Sequence, residues 1–140
     1  KTEVENEFKT VSSSFNTIKA ENFDVPSGYD EVCIVDLDAQ TTDTPFESDD
    51  FAYNPILYDG VQEKKNLFLV KGINIESFNI GKVMLDNTRA DSLTPDKCTG
   101  DGKEDSNTDT GYLLCIPIKN GKVKMKLKGK GDKTFVSCVK

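Results

Sequence analysis

The sequence contains no histidine and no tryptophan. Histidine is the usual general base near neutral pH, so its absence excludes Ser-His-Asp and Cys-His catalytic arrangements and histidine zinc sites. The chain also has no Cys-x-x-Cys pair, no dinucleotide-binding glycine motif and no P-loop. Paired carboxylates could still act on a glycoside, but no tryptophan is available to stack a sugar. We therefore expect that the protein is not an enzyme.

Long apolar runs are missing as well. No stretch of 18 or more apolar residues occurs, so the sequence predicts no membrane-spanning helix. The chain opens with charged residues, which is not the pattern of a signal peptide. We interpret it as a mature form or a fragment of a longer precursor, attached to a membrane only if a segment ahead of Lys1 provides the anchor. A length of 140 residues predicts a single domain, 1–140.

Positive charge is scarce except at the C-terminus. The formal net charge is −6, which argues against nucleic acid as a partner. Residues 111–140 carry eight lysines and one aspartate, a net charge of +7, whereas residues 1–110 have a net charge of −13. The molecule is therefore polarised in charge along its sequence.

The four cysteines are Cys33, Cys98, Cys115 and Cys138. An even count without metal-binding spacing predicts two disulfides and an oxidising compartment, outside the cell or at its surface. Four free buried thiols are the alternative. Of the three possible pairings we favour Cys98–Cys115 and Cys33–Cys138, because the loop holding Cys98 can reach the outer face on which Cys115 is predicted.

The N-terminal residues carry apolar side chains at alternating spacings of four and three, which is one stripe of a helix. The stripe consists of Val4, Phe8, Val11, Phe15 and Ile18. It predicts a helix over 3–21 that packs on a sheet. The same spacing fits a coiled-coil seam used in assembly, and under three heptads are too few to separate the two.

An acidic segment, residues 38–60, follows the first predicted strand. It holds six acidic residues and no basic one. Its aromatic residues are Phe46, Phe51, Tyr53 and Tyr58. The aromatics favour packing over disorder. Asn54-Pro55 resembles an N-cap with proline at the first helical position, which predicts a short helix over 55–65, weakened by Gly60.

Strand patterns dominate the rest of the chain. They fall at 31–37, 66–71, 73–80, 82–86, 113–119, 122–128 and 133–138. Runs of strands without alternating helices predict antiparallel pairing. The predicted fold class is α+β: a long N-terminal helix (1–22) packed on an antiparallel sheet or sandwich of about six to seven strands (23–140), stapled by disulfides.

The clearest local signal is Asn120-Gly121, a typical type I′ hairpin turn. With this pair at the tip, apolar residues face one another as Ile118–Val123, Ile116–Met125 and Leu114–Leu127. The opposite face carries Lys122, Lys124, Lys126, Lys128 and Lys130. These lysines are a solvated face that protects a sheet edge, or a contact for an acidic cell-surface partner or for the 38–60 segment of another copy of the chain.

Calcium is the one metal for which the sequence offers candidate ligands. Asp101, Asp105, Asn107 and Asp109 lie in a glycine-containing loop at spacings that resemble the start of an EF-hand. The pattern then fails, because the glycine is displaced to Gly111 and Ile116 occupies the position of the bidentate glutamate. Two interpretations of this loop remain: a looser calcium site and a solvated acidic loop. We expect no cofactor other than calcium.

The layout resembles the soluble part of type IV pilin-like proteins. The runs VCIVDLD, NLFLVKGINIESFNIGKVML and LCIPIKNGKVKMKLKGKGDKTFVSC are also similar to small single-pass surface proteins of archaea. The resemblance implies a non-catalytic surface or filament protein that acts in assembly or adhesion, with no catalytic residues. A secreted module that binds a glycan, protein or calcium through the acidic loops 38–60 and 87–111 is the alternative.

Overall fold

The computed structural model describes residues 15–25, 28–39, 45–51, 54–85 and 112–138. In these ranges the chain forms eight strands, one short α-helix and two turns of 3-10 helix. The strands are β1 (Phe15–Asp24), β2 (Glu31–Val35), β3 (Leu67–Lys71), β4 (Asn74–Phe78), β5 (Val83–Leu85), β6 (Leu113–Pro117), β7 (Lys122–Lys130) and β8 (Thr134–Cys138). The helix is α1 (Ile56–Gln62), and the 3-10 turns are Leu37–Ala39 and Ser48–Phe51.

The strands form two four-stranded sheets that pack as a sandwich. The first sheet has the order β1-β7-β8-β5 and the second the order β4-β3-β2-β6. Among these described strands the pairing is antiparallel except between β5 and β8, which run parallel. The fold is therefore mainly antiparallel, with β2 in the interior of its sheet as its apolar sequence predicts.

The main core lies between the sheets. β7 supplies Val123, Met125 and Leu127, all fully buried, and the alternation of these residues with lysines fixes which side of the strand faces inward. β2 and β6 contribute Ile34 and Leu114 from the opposite sheet to the same cluster. The strict alternation of apolar residues and lysines along β7 thus indicates that only one face of this strand packs on the core.

The outer face of the second sheet is also covered. We call residues 45–51 and 54–62 the aromatic cap, because Phe46 and Phe51 lie buried there with Leu57 and Val61 of α1. Beneath the cap lie residues of β2, β3 and β6, including Phe68. Since both faces of these strands are buried, their sequences read as continuous apolar runs rather than as alternation.

The predicted long N-terminal helix packed on a sheet is wrong. Phe15 and Ile18, the last two residues of its apolar stripe, lie in the extended strand β1, which pairs along β7 from Phe15 to Asp24. The other stripe residues, Val4, Phe8 and Val11, lie outside the described residues. Pairing with the long strand β7 overrides the helical spacing over 15–21, because tertiary context decides such weak local preferences.

The Asn120-Gly121 turn forms as predicted, with φ angles of 54° and 74°. Lys119 and Lys122 exchange backbone hydrogen bonds across it. The predicted pairing beyond the turn is wrong, since β6 pairs with β2 whereas β7 pairs with β1 and β8. The Ile118 N–H donates to the carbonyl oxygen of Asp30 instead. The two strands separate into opposite sheets, and their apolar sides meet across the core.

Cys33 and Cys115 form a disulfide between β2 and β6. The favoured pairs Cys98–Cys115 and Cys33–Cys138 are therefore wrong. That prediction relied on the hairpin register, which placed Cys115 on the lysine-bearing side, whereas in β6 it lies beneath the aromatic cap. Cys98 lies outside the described residues. The observed disulfide indicates an oxidising, non-cytoplasmic setting, as the sequence predicts.

Candidate functional site

The outer face of β7 carries a row of lysines that we call the lysine face: Lys122, Lys124, Lys126 and Lys128. The first two are exposed and the last two half-buried. Side chains two residues apart on a strand are about 7 Å from each other, so the row extends over about 20 Å. Lys130, predicted as the fifth member, is the last residue of β7. The structure thus places four of the five predicted lysines, Lys122 to Lys128, on one face of β7.

The lysine face retains its positive charge over most of its length. Lys122 forms an ion pair with Asp24 of β1, and both side chains are largely exposed. Such a surface pair contributes little to stability. Within the described part of the chain, no carboxylate lies at ion-pair distance from Lys124, Lys126 or Lys128. Three adjacent ammonium groups are therefore available to a partner.

The aromatic cap is fixed by ring contacts and by one tyrosine outside it. The Phe46 and Phe51 ring centroids lie 5.3 Å apart, and Tyr112 contacts both rings. The Tyr112 hydroxyl donates a 2.6 Å hydrogen bond to the carbonyl oxygen of Asp50. The sequence predicts the packing of these rings but not the role of Tyr112. Tyr53 lies outside the described residues.

Packing the rings inward turns the acidic side chains of the cap outward. Glu47, Asp49 and Asp59 are exposed, and so is Glu63 just after α1. We call these four residues the acidic face. Because the cap covers the outer side of the second sheet and the lysine face lies on the outer side of the first, the acidic and basic surfaces lie on opposite sides of the sandwich.

Among the described residues, three candidate metal ligands lie together at one place. The predicted calcium ligands Asp101, Asp105, Asn107 and Asp109 lie outside the described residues. Glu31, Cys33 and Cys115 bring a carboxylate oxygen and two sulfurs within 4.8 Å of one another. Both sulfurs are bonded in the disulfide, so they are not thiolate ligands and one carboxylate remains, which alone does not make a metal site.

A pocket of about 200 Å³ opens at the end of the sandwich where β2 ends and β5 begins. Its walls carry two carboxylates, Asp36 and Asp38, and two ammonium groups, Lys64 and Lys82. Leu37 and Val83 add apolar surface. Sequence reasoning missed this site. The available signal was Asp36-x-Asp38 directly after a buried strand, where polar side chains emerge at the edge of a sheet.

Two asparagines hold the pocket wall in shape. Asn66 is 2% exposed, donates to the Gly81 carbonyl oxygen over 2.6 Å and accepts from the Ile80 N–H over 2.9 Å. Asn79 donates to the carbonyl oxygen of Lys64 and accepts from the Gly81 N–H. Both side-chain amides are therefore used in hydrogen bonds within the wall. The polar side chains of the pocket that are not used in this way are the four charged ones.

Asp36 is the buried charged group of the pocket, with 9% of its surface exposed. Its Oδ1 accepts the Asp38 N–H at 3.0 Å. The pKa of Asp36 is raised from 3.8 to about 6, mainly by burial. The hydrogen bond from Asp38 and the charge of Lys133 lower the pKa, and the charge of Asp38 adds to the rise. Asp36 therefore titrates in a range in which its charge state can change under mild conditions.

Among the described residues, the helices are too short or too polar to span a lipid bilayer. Comparisons of the chain with protein-family models, with curated proteins and with solved structures found no match.

Proposed function

We propose that this protein is a non-catalytic extracellular surface or filament protein that acts in assembly or adhesion. The observation that carries the proposal is the separation of charge between the lysine face and the acidic face on opposite sides of the sandwich. The lysine face of one copy is complementary to the acidic face of the next. The disulfide supports an extracellular location, because such bonds persist in oxidising compartments.

The proposed contact joins two different surfaces of the same chain, so it is heterologous. Contacts of this type produce rings if the rotation closes and filaments if it does not. A pilin-like role is part of this proposal, with assembly through the faces of the sandwich in place of a long N-terminal helix. An acidic cell-surface molecule would use the same lysines.

Sedimentation velocity at two salt concentrations tests the proposal. At about 0.01 M salt charges act over roughly 30 Å, whereas at about 1 M they act over roughly 3 Å. We expect larger species at low salt that dissociate at high salt. Lys124→Glu should abolish them, because it places a carboxylate against the acidic face of the neighbouring copy.

Lys71→Glu is the matched control, since Lys71 is exposed at the end of β3 and outside the lysine face. This control makes the same change in net charge and should leave association intact. If the wild-type protein stays monomeric at low salt and fails to bind immobilised polyglutamate, the proposal is wrong. Binding to polyglutamate without self-association would support adhesion to an acidic cell-surface partner.

A secreted binding module is the second candidate function, and the pocket at Asp36 favours it. This candidate recognises a glycan, protein or calcium through the acidic loops, the first of which begins at Asp38 in the pocket wall. For calcium, a calorimetric titration with Asp105→Ala as control decides. A heat of calcium binding that Asp105→Ala abolishes supports a metal site. The absence of both a binding heat and a shift in melting temperature excludes calcium binding.

A further inference from the structure

We propose that the pocket lined by Asp36, Asp38, Lys64 and Lys82 binds a small zwitterion of the α-amino acid class. The ligand's ammonium group would meet the carboxylates and its carboxylate group would meet the lysines. The pocket lies at the end of the sandwich, and no residue of the lysine face lines it, so this inference does not depend on assembly.

The pocket places charges of both signs around one space. Asp36 and Asp38 follow β2, whereas Lys64 and Lys82 come from the segments that precede β3 and β5. Within the described part of the chain, none of the four side chains forms an ion pair. Unlike charges that face a common cavity without contacting each other match a ligand that carries both charges.

The position of Asp36 is the strongest indication of a ligand. The side chain is nine-tenths buried and lines the pocket. One of its oxygens accepts the Asp38 N–H, and no described residue donates to the other. This second oxygen is open to the pocket, but little solvent reaches the residue, and a poorly hydrated carboxylate is costly. An ammonium group provides charge-assisted hydrogen bonds to such an oxygen and removes this cost.

Two other ligand classes fit less well. A divalent cation needs six or more oxygen ligands in the case of calcium, and Lys64 and Lys82 at the rim repel it. A sugar ring is usually bound with aromatic stacking, and none of the residues that line the pocket is aromatic. Leu37 and Val83 provide a small apolar surface instead, which suits a short aliphatic side chain.

Binding is expected to depend on the charge of Asp36. The charged groups that act on Asp36 are Asp38 and Lys133, and Lys64 and Lys82 line the same pocket. Since the pKa of Asp36 is raised to about 6, the carboxylate is mostly protonated at pH 5 and mostly ionised at pH 7. We therefore expect affinity for an ammonium group to be about tenfold lower at pH 5.

An NMR titration of the folded protein tests the proposal with three probes: L-alanine carries both charges, L-alanine amide only the ammonium, and L-lactate only the carboxylate. We expect alanine to shift the amides of Leu37, Asp38 and Gly81 with a Kd in the millimolar range, and each singly charged probe to bind at least tenfold more weakly. Larger amino acids are then titrated in the same way.

Two variants separate the two halves of the site. Asp36→Asn should abolish binding of alanine and of its amide, whereas Lys82→Gln should weaken alanine and leave the amide unchanged. Asp30→Asn, an exposed position just before β2, is the control and should leave the binding of alanine unchanged. The proposal is overturned if no amino acid shifts these amides at tens of millimolar, or if Asp36→Asn binds as the wild type does.

Discussion

Cys33 and Cys115 lie directly opposite each other on β2 and β6, with their Cα atoms 4.1 Å apart and their sulfurs bonded. Three positions to either side, the Ile118 N–H donates to the Asp30 carbonyl oxygen and the Asp36 N–H to the Tyr112 carbonyl oxygen. Because hydrogen-bonded pairs alternate with the other type, the two cysteines occupy the close, non-hydrogen-bonded position. The disulfide closes a long loop, since the two cysteines are separated by 82 positions in the sequence. It joins two strands beneath the aromatic cap.

Removing this disulfide should destabilise the protein strongly. We expect the double variant Cys33→Ala/Cys115→Ala to lower the free energy of unfolding by about 2–5 kcal/mol, because long loops gain most from closure. Urea unfolding measures the change, and peptide mapping of the non-reduced wild type should recover Cys33 linked to Cys115. An unchanged midpoint in urea would contradict the expectation.

Gly60 of α1 lies directly on the ring of Phe68. A Cβ atom at this position would overlap Cε1 of that buried ring. Helix propensity alone favours Gly60→Ala by about 1 kcal/mol, but we expect the variant to be destabilised by about 1–3 kcal/mol through overpacking. Thermal unfolding checks this.

A double variant distinguishes the packing explanation from a local effect in the helix. Phe68→Leu opens space above Gly60, so Gly60→Ala should be less costly in that background than alone. Equal costs in both backgrounds would show that contact with Phe68 is not the reason for glycine here.

Thr134 at the start of β8 is fully buried, and no described residue forms a hydrogen bond with its Oγ1. A buried hydroxyl without a partner costs about 1–3 kcal/mol. We therefore expect Thr134→Val, which keeps the shape and removes the hydroxyl, to raise stability by about 1 kcal/mol. Thr134→Ser keeps the hydroxyl and removes a methyl group, so it should lower stability. A loss of stability in the valine variant would contradict this account.

The raised pKa of Asp36 makes the charge of this carboxyl unfavourable to folding. Its pKa is about 6 in the folded protein against 3.8 ordinarily, so between these pH values the folded state binds more protons than the unfolded state. The contribution of Asp36 to stability is therefore complete below pH 3.8 and is lost as the pH rises through 6.

Asp36→Asn should remove this loss, because the amide stays neutral and can still accept the Asp38 N–H. Relative to wild type, we expect the variant to gain at most about 3 kcal/mol at pH 7 and much less at pH 4. Urea unfolding of both proteins across this range gives the difference. A difference that does not vary with pH would show that Asp36 is not the group responsible.

Much of the β-structure could be predicted from local patterns. The alternation of lysines with Val123, Met125 and Leu127 gives β7 and its faces, because side chains alternate strictly along a strand. Asn120-Gly121 gives the turn, because both residues tolerate positive φ. The short helix after Asn54-Pro55 also forms, as α1, which ends at Gln62.

Long-range pairing could not be predicted in the same way. The turn residues specify the contact between Lys119 and Lys122, but they do not determine that β6 pairs with β2, a strand far away in sequence. The disulfide and the β1–β7 pairing depend on that same topology. The pocket was missed for a similar reason, since its walls come from three separate parts of the chain.

The charged faces show how a pattern along the chain becomes a property of the surface. Lysines of β7 and acids of the aromatic cap are separated in sequence, and the sandwich places them on opposite outer sides. The central claim is that these two faces bind each other between copies of the chain. Two double variants test this claim: Lys124→Glu/Lys126→Glu on the lysine face and Asp59→Lys/Glu63→Lys on the acidic face.

Sedimentation velocity of the two variants, alone and mixed at low salt, is the most direct measurement. In each variant alone, the two substituted side chains have the same charge as the face that they must contact, so each variant should remain monomeric. The mixture restores opposite charges at every contact, so we expect larger species in the mixture that dissociate at high salt. Monomers in the mixture, together with a monomeric wild type under the same conditions, would contradict the account.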